Sequence, residues 1–149
     1  MEEDRRLAAI MFTDIIGFTS LMNADEKKTL DVLQKNISIQ KPIIEKYNGH
    51  CIKEIGDGTL SSFSSAVNAV RSAIEIQNAV NNEPSFKLRI GIHLGDVIFK
   101  ENDVFGMGVN IASRLETSAS PGTSRLWRLA EMRLRARRKI RIGIMNFRA

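Results

Sequence analysis

The sequence holds one cysteine, three prolines, one tryptophan and one tyrosine in 149 residues. With Cys51 alone no intrachain disulfide can form, and a reducing compartment is the expected setting. Proline and glycine are too sparse for a collagen-like or low-complexity chain. No apolar run approaches the roughly 18 residues that cross a bilayer. The opening Met1-Glu2-Glu3-Asp4-Arg5-Arg6 lacks the layout of a secretory signal. These absences predict a cytoplasmic protein without a membrane span. What is present is ordinary globular composition, 43% hydrophobic and 26% charged, at a length that suits one self-supporting domain.

The net charge of +5 is unevenly placed. Residues 1–123 carry 13 basic and 16 acidic side chains, whereas residues 124–149 carry nine basic ones and a single acid, Glu131. The main body therefore gives no electrostatic reason to expect nucleic acid, and no specific nucleic-acid partner is predicted. The basic end also differs in style. Leu126, Leu129, Ala130 and Leu134 have helical spacing among arginines, and Ile140, Ile142 and Ile144 then alternate like a strand.

Periodicity orders the rest. Leu7 to Phe12 is a short apolar run that suits a strand buried on both faces, and the chain then turns into helix near Phe18. Asn23 with Glu26 has capping-box spacing for a second helix, whose apolar positions are Leu30, Leu33, Ile37 and Ile44. Pro42 is expected to bend or end it. His50–Ile55 and Thr59–Phe63 read as strands joined by a tight Gly56-Asp57-Gly58 turn. Ser64-Ser65 caps a helix that stops at Asn81-Asn82-Glu83-Pro84. Phe86 to Leu94 alternates with period two, and Val97 to Phe99 continues it or pairs nearby. Gly106 to Ser118 reads as a last helix. This order predicts an α+β sandwich, helices on a mixed sheet.

Two carboxylates stand out by position. Asp14 ends an apolar strand just before a helix, and Asp57 sits at a turn tip. Taken singly, they read as a helix cap and a turn residue. Converging, they make a hard-oxygen site for Mg²⁺, which takes one or two carboxylates and leaves room for phosphate oxygens. The backbone amides of Ile16, Gly17 and Phe18 at the following helix start suit a phosphate. Asn110 and Arg114 are i and i+4 on one predicted helix and share a face. An amide and a guanidinium there suit a sugar oxygen and a phosphate. Lys53 and Asp103 say little alone, and His50 and His93 lack metal-ligand spacing.

Four segments occur in order: Phe12-Thr13-Asp14-Ile15-Ile16-Gly17-Phe18-Thr19, Lys53-Glu54-Ile55-Gly56-Asp57-Gly58, Arg89 to Val97, and Asp103 to Arg114. Together they resemble the catalytic domain of class III adenylyl cyclases, bacterial type, over about residues 5–123. The resemblance implies a ferredoxin-like βαββαβ core working as a head-to-tail homodimer with composite sites. It implies that Asp14, the Ile15 carbonyl and Asp57 bind two Mg²⁺ ions, for which Mn²⁺ can substitute. It implies that Lys53 and Asp103 read the adenine edge, that Asn110 orients the ribose, and that Arg114 stabilises the transition state. It implies that the metal residues come from one subunit and the other four from its partner. The implied reaction converts ATP to cyclic AMP and pyrophosphate.

After Pro121-Gly122 the family's closing strand, helix and strands are not recognisable. The expected organisation is thus an incomplete cyclase domain over 1–123 and a non-matching basic tail over 124–149, leaving a sheet edge unpaired. A second reading follows, a catalytically impaired cyclase-like module for dimerisation or regulation. A guanylyl cyclase is the nearest enzymatic rival, and Lys53 with Asp103 argues against it.

Overall fold

The computed structural model describes residues 3–107, 109, 110, 112 and 124–126, the last three by backbone alone. The elements are β1 (Asp4–Ile15), α1 (Phe18–Ala24), α2 (Glu26–Lys46), β2 (His50–Ile55), β3 (Gly58–Phe63), α3 (Ala66–Asn81), β4 (Leu88–Lys100), β5 (Asp103–Phe105) and β6 (Ser124–Leu126). Met107, Val109, Asn110 and Ala112 are helical. The sheet runs β2-β3-β1-β4-β5, antiparallel throughout, and β6 joins β4 in parallel at Ile90–Ile92. The inner order β2-β3-β1-β4 is the ferredoxin-like arrangement expected from the sequence. Because β6 lies within the basic tail, that tail supplies a strand that pairs with β4, where the sequence reading expected some sheet edge to stay unpaired.

Alternation along β1 and β4 sends side chains to two cores. Ala9, Met11 and Ile15 join Leu88, Ile90 and Ile92 beneath α2 and α3. Ala8 and Ile10 join Leu60, Val97, Val104 and Ala112 on the opposite face. Both central strands are therefore covered on both sides, which accounts for the unbroken apolar run at Leu7–Phe12.

Several local expectations are corrected. Asp25, not Asn23, caps α2, its Oδ1 accepting from the Lys28 amide at 3.1 Å. Pro42 neither ends nor breaks α2, which continues to Lys46. Ile39, Ile43 and Ile44 around it pack into the core, and this packing outweighs the lost backbone bond. The buried face of α2 is Thr29, Val32, Asn36, Gln40 and Ile44, whereas Leu30 is 58% exposed. Val97–Phe99 continues β4 as one strand of 13 residues, and β5 is an additional short strand. The Ser65 cap of α3 is as expected, accepting from the Asn68 amide at 3.2 Å.

Gly49 turns the chain from α2 into β2 with no space for a side chain. A Cβ there would strike the Phe63 ring and come within 2.8 Å of Ile44 Cγ2. Gly49→Ala is expected to lower stability by about 1–3 kcal/mol, the usual cost of overpacking a core. A urea unfolding midpoint unchanged from wild type would refute that fit.

Candidate functional site

The end of β1 and the β2–β3 turn meet. Asp57 Oδ2 accepts from the Ile15 backbone amide at 3.0 Å. This bond brings Asp57 beside the segment bearing Asp14 and the Ile15 carbonyl, as the metal reading requires. The turn is enforced locally. Gly56 has φ 58°, a left-handed value that glycine adopts freely. Gly58 lies so close to β1 that a Cβ would collide with the Thr13 carbonyl oxygen.

Asp14 has a partner that sequence reasoning missed. It faces Arg89 across the β1–β4 ladder. Arg89 Nε donates to Asp14 Oδ1 at 3.0 Å, and a terminal guanidinium nitrogen donates to Oδ2 at 2.8 Å. Both side chains are about three-quarters buried, so the bidentate pair keeps a part-desolvated carboxylate compensated. Arg89 falls within the quoted motif Arg89 to Val97, but a single sequence does not reveal which residue an alternating strand pairs it with.

The amides expected for phosphate are corrected in one place. Ile16 N–H is not free; it donates to the Lys87 carbonyl at 3.0 Å. This bond extends the β1–β4 contact one residue past the strand. The anion-binding expectation then rests on Gly17 and Phe18, where Gly17, at φ 70°, makes the turn into α1.

Lys53 and Asp103 are brought together. They lie on β2 and β5, the two ends of the main strand order, yet Lys53 Nζ donates to Asp103 Oδ2 at 2.8 Å. The sheet curls so that its outer strands approach. The bond from Lys53, and next the Val104 amide, hold the Asp103 carboxyl below its usual range, so it stays an ionised acceptor at neutral pH. A cleft of about 360 Å³ beside the pair is lined by Arg6, His50, Ile52, Phe99, Lys100 and Asp103. That size falls near the lower end for small-ligand sites, about 300–1,000 Å³.

Asn110 is exposed on the helical segment that follows β5. Arg114 lies outside the described residues. His93 is buried on β4, and burial lowers its pKa, in keeping with a neutral structural side chain. Among the described residues no three His, Cys, Asp or Glu side chains cluster as a metal site. Two carboxylates joined by a backbone carbonyl are nevertheless a sufficient donor set for Mg²⁺, which usually retains water and substrate oxygens. No helix among the described residues is long and apolar enough to cross a membrane.

Comparison with known proteins identifies the family. A "Putative adenylate cyclase 3" of Rhizobium meliloti (strain 1021) is 40% identical over 126 residues, covering 79% of this chain and 22% of that protein. An adenylate cyclase of Streptomyces coelicolor is 34% identical over 120 residues, covering 79% of this chain and 31% of that protein. The chain thus spans between a fifth and a third of the length of these relatives. The crystal structure of an adenylate/guanylate cyclase/hydrolase from Silicibacter pomeroyi superposes with a TM-score of 0.77 at 34% identity, covering 83% of this chain and 76% of that one. The family model for the adenylate and guanylate cyclase catalytic domain matches residues 2–140, which extends into the basic segment. With the ferredoxin-like sheet, the Asp14–Asp57 corner and a match over nearly the whole length, the chain belongs to the class III adenylate and guanylate cyclase catalytic domain family.

Proposed function

We propose that this chain converts ATP to 3′,5′-cyclic AMP and pyrophosphate as a homodimer, each of whose two sites combines residues of both subunits. The observation that carries the reading is the Asp57–Ile15 bond, which puts two carboxylate-bearing segments at one corner. Asp14, Asp57 and the Ile15 carbonyl would hold two Mg²⁺ ions. When bound, such ions acidify the ribose 3′-hydroxyl and neutralise the triphosphate charge in an in-line displacement at the α-phosphorus.

The chain's own residues do the rest. Arg89 holds Asp14 through one bond to each carboxylate oxygen, and each oxygen keeps a second lone pair with which Asp14 would ligate a metal ion. A guanidinium beside that corner suits phosphate oxygens. Gly17 and Phe18 present amides to the same anion. Lys53 donates to adenine N1 and Asp103 accepts from the N6 amino group. Guanine offers the opposite pattern at those atoms, so ATP is preferred. Asn110 orients the ribose, and Arg114 meets charge that develops in the transition state.

The test is incubation of the purified chain at several concentrations with ATP or GTP and Mg²⁺ or Mn²⁺, with detection of cyclic nucleotide and pyrophosphate. Cyclic AMP is expected, with specific activity rising with protein concentration as shared sites assemble. A folded protein that forms no product at any concentration would overturn the assignment and favour the dimerisation module.

A further inference from the structure

Behind the two carboxylates lies a polar cluster that the proposed chemistry does not use. Thr13 on β1, Thr59 on β3, and Asn36 and Gln40 on α2 are each 1% exposed. Their hydrogen bonds form a directed chain. The Thr59 amide donates to Thr13 Oγ1 at 3.3 Å, and the two threonine hydroxyl oxygens are 2.8 Å apart. The Thr59 hydroxyl donates to Gln40 Oε1 at 2.9 Å, and Gln40 Nε2 donates to Asn36 Oδ1 at 2.6 Å. Thr13 Oγ1 is also 3.2 Å from Gln40 Oε1, so one amide oxygen sits over both threonines.

Four buried polar side chains are a costly way to fill space that apolar residues fill readily. Their position suggests what they secure. Thr13 opposite Thr59 is the last rung of the β1–β3 ladder. Asp14 follows Thr13 directly, and Asp57 precedes Thr59 by two residues. The intervening Gly58 is packed against the Thr13 carbonyl with no clearance. Whatever sets this rung sets where both carboxylates leave the sheet.

We propose that Gln40 is a positioning residue whose side-chain oxygen, braced through Asn36, clamps Thr13 against Thr59 and thereby sets the separation of the Asp14 and Asp57 carboxylates. The proposal rests on those carboxylates binding metal. It assigns a role to a helix face that touches neither substrate nor metal.

The test measures Mn²⁺ binding to the full chain by electron paramagnetic resonance without nucleotide, beside the Mn²⁺ dependence of cyclic AMP formation. The proteins are wild type, Gln40→Met, Thr59→Val and Thr59→Ser. Gln40→Met keeps side-chain length without the amide, and Thr59→Val keeps shape without the hydroxyl. Both are expected to weaken Mn²⁺ binding by about tenfold, the scale of outer-shell changes at metal sites. The Mn²⁺ concentration for half-maximal activity should rise by the same factor, with KM for ATP unchanged at saturating metal. Thr59→Ser restores the hydroxyl and should return both values to near wild type. Unaltered Mn²⁺ affinity in Gln40→Met and Thr59→Val overturns the clamp while leaving the metal reading intact. A wild type that binds no Mn²⁺ overturns both. If Gln40→Met does not fold, the contrast between Thr59→Val and Thr59→Ser decides by the same two readouts.

Discussion

Asp14→Asn is expected to lower cyclic AMP formation by about three orders of magnitude in a chain that still folds. Metal-ion catalysis contributes several kcal/mol of charge stabilisation, and each 1.4 kcal/mol or so is a factor of ten in rate. The asparagine separates the proposed metal role of Asp14 from its observed bond to Arg89. Its amide oxygen still accepts a hydrogen bond from Arg89, so the β1–β4 rung keeps a polar contact. It no longer supplies a carboxylate for a cation. If Asp14 served only to orient Arg89, the variant would retain activity within about tenfold of wild type. Pyrophosphate release with circular dichroism on the same sample measures both. Asp14→Ala is the harsher control, since it removes the hydrogen-bond partner of a part-buried guanidinium as well. Its loss of stability should exceed that of the asparagine variant, while its activity should match.

Lys53→Ala is expected to reduce the preference for ATP over GTP, measured as the ratio of kcat/KM values, by about tenfold or more. A buried polar group left unmet costs roughly 1–3 kcal/mol, and in the proposed reading the lysine donates to adenine N1, where guanine carries a donor of its own. The Lys53–Asp103 pair does not stand in the way of substrate. Its side chains are 43% and 29% exposed, and pairs of that kind contribute at most about 1 kcal/mol. Each group can therefore turn from the other to a base edge at small cost. Folding stability should change little in Lys53→Ala, whereas discrimination should change greatly. An unchanged ATP-to-GTP ratio would remove Lys53 from base recognition.

The elements read best from sequence are those whose patterns have a single physical solution. The alternation from Phe86 to Leu94 admits little but a strand, and Gly56-Asp57-Gly58 between apolar runs admits little but a tight turn. Asp14 and Asp57 drew notice by position, yet singly they read as a helix cap and a turn residue, and only the four ordered motifs joined them as a candidate pair. The short strand Asp103–Phe105 shows no period in three residues, and its pairing depends on the turn at Glu101 and Asn102, both with positive φ. Asn36 and Gln40 were hidden because a polar residue on a helix reads as exposed. Their burial makes sense only once Thr13 and Thr59 are beside them. Arg89 was hidden likewise, since its partner is 75 residues away.

That separation bears on when the site comes into being. The β1–β4 ladder, with twelve rungs, joins the first strand to one of the last described. Contacts of such range are slow to form, because loop closure precedes any gain from pairing. At a synthesis rate of about 5–20 residues per second, roughly 4–15 s separate the emergence of Asp14 from that of Arg89. Throughout that interval β1 lacks its longest partner. A ligand that binds only the assembled corner can therefore stabilise a marginal finished chain by mass action but gives no help to a nascent one.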